Sequence, residues 1–165
     1  MNASASAVFR HRLMLAELLG HDVEFILVGG LAVQVHGHVR FTRDLDIVPA
    51  PDLLNLSRLE EALAALGGDP PNAHRLGRAP HLRAETDHGP LDVLNVELLD
   101  GVRLTYEQLR SRAEEVEFEG RSVLVAGLDD LIRMKRVAGR EIDLSDIGAL
   151  TRTDEQLQDE AGEST

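Results

Sequence analysis

Apolar positions along the chain follow two periods, and each stretch predicts an element. Val8, Leu13, Leu15, Leu18 and Leu19 fall at helical spacings and predict an amphipathic helix over 6–19, stopped at Gly20. A short apolar run over 24–28 reads as a strand. A short helix over 31–36 opens at Gly29-Gly30 and closes at Gly37. Alternation over 44–48 predicts a second strand, ended by Pro49 and Pro51. Residues 52–66 predict a helix with Asp52 as N-cap and Gly67-Gly68 as the stop. The Pro-, Gly- and Asn-containing stretch 69–79 reads as a loop. Strands follow at 81–86 and 91–98 around the turn Asp87-His88-Gly89-Pro90. The remainder predicts a helix at 105–113, a hairpin of 115–118 with 122–125 across Gly120, and helices at 128–138 and 142–150, parted by Gly139. Asp129 and Asp130 lie in the first turn of 128–138, where the helix dipole favours acids. The pattern is α+β: a small mixed β-sheet with flanking helices, in one domain over 1–152. The polar, acidic segment 153–165 reads as a frayed tail.

Composition narrows the function classes. The 165 residues suffice for one domain with a real core. With no cysteine, a disulfide framework, a thiolate zinc site and a cysteine nucleophile are excluded. Arg10, His11 and Arg12 interrupt the early apolar run, and nothing reaches the ~20 residues of a membrane span, so a cytoplasmic protein with no membrane partner is expected. The net charge of -12 argues against a broad nucleic-acid surface, which carries a basic stripe. Aromatic residues are 3% of the chain, so base stacking has few platforms. Among 17 basic residues only Lys135 is a lysine, which singles it out.

The candidate chemistry lies in 25–48, FILVGGLAVQVHGHVRFTRDLDIV. Residues two apart on a strand share a face, so Asp44 and Asp46 project together while Leu45 and Ile47 enter the core. Two like charges so close repel, and a divalent cation removes that penalty. Hard oxygen ligands suit Mg²⁺, with Mn²⁺ as an alternative. Asp92 stands alone in LDVLNV. If its strand lies beside 44–48, three carboxylates converge and permit two ions roughly 4 Å apart; otherwise it faces solvent. Gly29-Gly30 ends a strand and opens a helix, where bare backbone amides can approach a phosphate. It is neither a P-loop nor a GxGxxG turn, and a simple tight turn is the alternative. Arg40 and Arg43 just precede Asp44 and can fork onto phosphate oxygens or pair with surface acids. His36 reads as a helix-end residue capping carbonyls; His74, His81 and His88 receive no role.

These residues resemble the nucleotidyltransferase superfamily, the DNA polymerase β-like fold. Its signature is a strand, Gly-Gly or Gly-Ser, a short helix, Asp-h-Asp on the next strand and a third acid on a later one. Gly29, Gly30, Asp44, Asp46 and Asp92 match in type and order. GGLAVQVHGHVRFTRDLDIV is similar to the pattern of small bacterial members, including AbiEii-like and MenT-like enzymes of toxin–antitoxin systems. LDDLIRMKRVAGREIDLSDIGAL is similar to the family's helix, lysine, Gly-Arg and two aspartates. The resemblance implies an NTP substrate and two Mg²⁺ ions held by Asp44, Asp46 and Asp92. It implies a triphosphate at the glycine turn, Asp92 as general base, and Lys135 reaching the triphosphate or the acceptor. On the residues alone Lys135 reads equally as a solvated helix face. Asp143 and Asp146 either orient Lys135 or cap the last helix, and Asp146 is the one placed with the nucleotide-binding residues.

The expected reaction moves an NMP from an NTP to a hydroxyl acceptor (a tRNA end, a protein or a small molecule) with release of pyrophosphate. A cognate toxin or antitoxin protein and a second subunit in a homodimer are the protein partners it admits. A small acceptor would align the chain with lincosamide and aminoglycoside nucleotidyltransferases. The alternatives are a nucleotide-binding antitoxin or interaction module without turnover, and a metal-dependent phosphodiesterase.

Overall fold

The computed structural model describes residues 3–163. Helices α1 (Ala3–Gly20), α2 (Gly29–Val35), α3 (Leu53–Ala65), α4 (Ala73–Leu76), α5 (Tyr106–Ser111), α6 (Leu128–Ala138) and α7 (Glu141–Glu163) flank one six-stranded sheet. Its strands are β1 (Phe25–Val28), β2 (Leu45–Pro49), β3 (His81–Thr86), β4 (Gly89–Leu94), β5 (Glu114–Phe118) and β6 (Arg121–Val125), in the order β3-β4-β2-β1-β6-β5. Pairs β1–β2, β3–β4 and β5–β6 are antiparallel, while β2–β4 and β1–β6 are parallel, so the sheet is mixed as expected. No helix among the described residues is long and apolar enough to cross a membrane.

The central strands carry the core. All four residues of β1 are buried, and Leu45 and Ile47 of β2 are fully enclosed with Leu91 and Val93 of β4. Register then sets a row across four strands. Val28 pairs with Asp46, Asp46 with Asp92, and Asp92 with Arg83. Polar side chains at those positions share one face because the apolar neighbours on either side are committed to the other.

Most helix boundaries follow local chemistry visible in the sequence. Asp52 accepts from the Asn55 amide to cap α3, and Thr105 with Gln108 forms a capping box at α5. Gly139 ends α6 in the left-handed conformation at φ 64°. Three stretches differ from expectation. The predicted loop at 69–79 contains α4, because Asn72 caps it by accepting from the Arg75 amide. β4 stops at Leu94, since the Asn95 side chain takes the Glu97 amide and turns the chain. α7 continues to Glu163, through most of the segment expected as a tail, in a run rich in good helix formers.

One buried polar residue fixes the far end of the β1–β2 pair. Asn55 is 2% exposed; its Oδ1 accepts from Glu24 N at 2.7 Å, and its Nδ2 donates to Glu24 O at 2.9 Å and Ala50 O at 3.0 Å. Removing it strands backbone groups inside the protein. Asn55→Ala is expected to lower unfolding free energy by about 2–4 kcal/mol, read as a lower urea midpoint with an unchanged m-value. A midpoint within error of wild type would show that water replaces the side chain.

Candidate active site

The carboxylates meet where the row crosses β2 and β4. Asp46 sits at the mouth of the β1–α2 turn, and Gly29 is what admits it. At φ 65° Gly29 holds a conformation that L-residues resist, and a Cβ there would lie 2.1 Å from Asp46 Oδ2. Gly30 offers its amide to the Asp46 carboxylate, while its Cα packs beneath Arg40 and Thr42. The glycines, expected to leave room for a phosphate, thus make room for Asp46 and Arg40. Burial, then the charges of Asp92 and Asp44, push the Asp46 carboxyl up to about 6, against the Gly30 amide and Lys135.

Asp92 is buried on β4, as the convergent reading requires and not solvent-facing. Arg83 forks onto it, Nε donating to Oδ1 at 3.0 Å and Nη2 to Oδ2 at 2.7 Å. The same Nη2 reaches Asp44 Oδ2 at 2.8 Å, and His81 Nε2 donates to Asp92 Oδ1 at 2.8 Å. Burial would raise the Asp92 carboxyl, but the hydrogen bonds from Arg83 and His81 hold it below the usual carboxylate range. Sequence reading missed both partners. The signal was loop length: a four-residue turn would set Glu85 opposite Asp92, whereas the observed two-residue turn sets Arg83 there.

Beneath the carboxylates lies a second charged cluster. Lys135 is buried on α6, with Nζ 3.1 Å from Asp143 Oδ1 and 2.7 Å from Asp146 Oδ2. It is no solvated helix residue. Both aspartates are fully buried and both hold Lys135, and Asp143 also caps the last helix, its Oδ2 accepting from Arg140 N at 3.2 Å. Asp146, expected beside the nucleotide, instead packs inside, where Arg40 Nε approaches it at 3.1 Å and His38 Nε2 at 3.7 Å. Arg40 therefore braces the 36–44 segment onto α7. Arg43 is exposed, its guanidinium 5.7 Å from the Phe41 ring centre, and its carbonyl accepts from the buried His11 at 3.3 Å. Arg140 Nε donates to Asp143 Oδ2 at 2.7 Å. Burial would raise Asp143, but Arg140 and Lys135 hold it below the ordinary range. His36, expected to cap its own helix, donates at 2.9 Å to Ala126 O beyond β6.

A cavity of about 300 Å³ opens against this cluster. Asp46, Asp92, Lys135 and Gly29 border its polar end. Its walls are apolar, chiefly Leu94, Leu99, Leu131, Met134 and Val137. His81, Arg83, Asp100 and Arg140 also line it.

The donor set suits a hard divalent cation: three carboxylates share one face, with Asp46 set directly opposite Asp92. With Arg83 between Asp44 and Asp92, no group of three or more acids or histidines among the described residues is gathered closely enough to hold an ion. The residues fit a cation in kind and on one face; the guanidinium fills the space between two of them.

A mixed sheet with an acidic row beside a glycine turn is the architecture of nucleotidyltransferases. Residues 12–155 match the family described as nucleotidyltransferase of unknown function (DUF6036), and the chain belongs to that family. No curated protein matches it in sequence. Among solved structures it resembles the lincosamide antibiotic adenylyltransferase LnuA bound to lincomycin, at 17% identity over 86% of this chain and 94% of that one, with TM-score 0.62. It also resembles ANT(2")-Ia in complex with adenylyl-2"-tobramycin, at 16% identity over 93% of both chains, with TM-score 0.63.

Asp46 links the site to pH. A carboxyl raised from 3.8 to about 6 binds its proton more tightly folded than unfolded. Its contribution therefore favours the fold below pH 3.8 and is lost as pH rises through about 6. Asp46→Asn stays neutral throughout. It is expected to exceed wild type in stability above pH 7 by about 1–3 kcal/mol in metal-free buffer, and to lose the advantage by pH 4. Urea titrations at both pH values check this; equal differences would show that Asp46 is already neutralised.

Proposed function

We propose that this nucleotidyltransferase transfers an NMP from a metal-bound NTP to a hydroxyl on a small, partly apolar molecule. The observation that carries the proposal is the cavity: its polar end is bordered by Asp46 and Asp92 and its walls are aliphatic. A tRNA end or a protein hydroxyl is less favoured, since the net charge is -12 and the cavity is small. The resemblance to two antibiotic adenylyltransferases supports the same acceptor class.

Asp44, Asp46 and Asp92 would hold the divalent cation, which when bound supplies charge neutralisation at the phosphates. Asp92 takes the proton of the acceptor hydroxyl. The hydroxyl oxygen forms its bond to the α-phosphorus as the bond to the pyrophosphate oxygen breaks, and pyrophosphate leaves with the electron pair. Lys135, pinned by Asp143 and Asp146, contributes a fixed positive charge beside Asp46. Gly29 and Gly30 let Asp46 and Arg40 pack against the turn, and the exposed Arg43 is free to meet the triphosphate.

Calorimetric titration with each Mg·NTP tests the nucleotide site. Wild type is expected to bind, and Asp44→Asn with Asp46→Asn to bind at least 100-fold more weakly while remaining folded. Unchanged affinity in that variant would overturn the site assignment.

The acceptor assignment has its own check. Met134→Trp, which fills the cavity, is expected to suppress acceptor-dependent pyrophosphate release at least tenfold while Mg·NTP affinity stays within about twofold. Loss of Mg·NTP binding in this variant would give the cavity to the nucleoside instead.

A further inference from the structure

The contact that closes the carboxylate row comes from a half-exposed side chain. Arg83 lies on β3, the edge strand, and its side chain is 46% exposed against 6% for Asp92. It nonetheless takes up both Asp92 oxygens and one of Asp44. Oδ1 of Asp92 accepts from His81 as well. Three of the roughly four lone pairs of Asp92 are thereby taken, so an ion or a hydroxyl proton competes with the fork for its oxygens. One guanidinium also cannot balance three carboxylates, and its hydrogen bonds go to Asp92 and Asp44, not to Asp46.

We propose that Arg83 is the resident counter-ion of the carboxylate row, displaced by the divalent cation and handed to the phosphate that arrives with it. The inference rests on the reading of Asp44, Asp46 and Asp92 as a metal site. A dication brings twice the charge to the same oxygens. The guanidinium can leave without opening the core, because β3 has a neighbour on one side only and the head of Arg83 already meets solvent. Once released it remains within a side chain's reach of the row, and its planar fork matches phosphate as well as carboxylate. Arg83 in this role is a competitor for the metal before nucleotide binds and a ligand of the nucleotide afterwards. It would lower the negative charge of the site and keep it closed when substrate is absent, and it couples metal binding to phosphate binding.

Mn²⁺ alone is the probe, its free fraction read by electron paramagnetic resonance in the full chain. Arg83→Gln is expected to bind Mn²⁺ at least tenfold more tightly than wild type without nucleotide. The factor by which NTP tightens Mn²⁺ should fall at least tenfold in that variant. Arg83→Lys, which keeps charge and loses the fork, should lie between. Equal or weaker Mn²⁺ binding by Arg83→Gln, with wild-type binding that depends on Asp44 and Asp46, would overturn the role of Arg83 and leave the metal site standing. No Mn²⁺ binding by wild type or either variant would overturn the metal site itself. A measurement on unaltered protein guards against misfolding of the variants. The Arg83 Nε–H resonance, identified by its absence from the Arg83→Lys spectrum, should shift or broaden as Mg²⁺ is added. A resonance unmoved at saturating Mg²⁺ overturns the displacement.

Discussion

Like charges set side by side are the constraint on which the rest of this structure depends. The parallel register of β2 and β4 pairs Asp46 with Asp92, and alternation along β2 brings Asp44 to the same face. Apolar residues enforce this. Leu45, Ile47, Leu91 and Val93 fill the core, and a one-residue slip would expose them all. The hydrophobic effect thus holds together three groups that repel. Gly29 yields its side-chain space, Gly30 gives an amide, Arg83 bridges and Lys135 lies beneath, each answering the same excess of negative charge.

The answers come in two kinds, separated by burial. Lys135, Asp143, Asp146 and Arg40 form an interior network, and its aspartates are fully buried. Breaking one member would leave uncompensated charge in a low dielectric, so the network behaves as part of the scaffold. It ties α6 and α7 to the segment that leads into β2. Arg83 and His81 belong to the other kind: they touch the same row from an edge strand in contact with water. Surface ion pairs contribute little to stability and rearrange readily. A rigid cationic floor below the acids and a loose cationic cover above them is an arrangement suited to a site that must admit charged ligands without distorting.

Much of this was legible in the sequence because it rests on local patterns. An apolar run located β1 and alternation β2, the N-cap at Asp52 located α3, and Gly139 marked the end of α6. The order of glycines and acids pointed to the family. What stayed hidden depended on partners far apart in the chain. Arg83 and His81 gain meaning only from the strand register opposite Asp92, and the depth of Asp146 only from the way α7 packs on α6. The pairing of Asn55 with both strand ends is likewise tertiary. Helix α4 was a local miss, since a cap residue beside two prolines reads as loop until the turn that follows is seen.

The two-residue turn at Asp87-His88 has a consequence beyond joining strands. Surface hairpin tips are ordinarily where chains tolerate added residues, because length there costs little. In this hairpin the register is chemistry. A four-residue turn that drew Gly89 and Pro90 out of β4 would set Thr86 opposite Leu91, slide Glu85 into the place of Arg83 and put a fourth carboxylate against three. The sheet would still satisfy its backbone hydrogen bonds and its apolar face, yet the acidic row would lose its cover. What counts here is which residues pair on either side of the tip, and the choice of a two-residue turn is as much a part of the site as any aspartate.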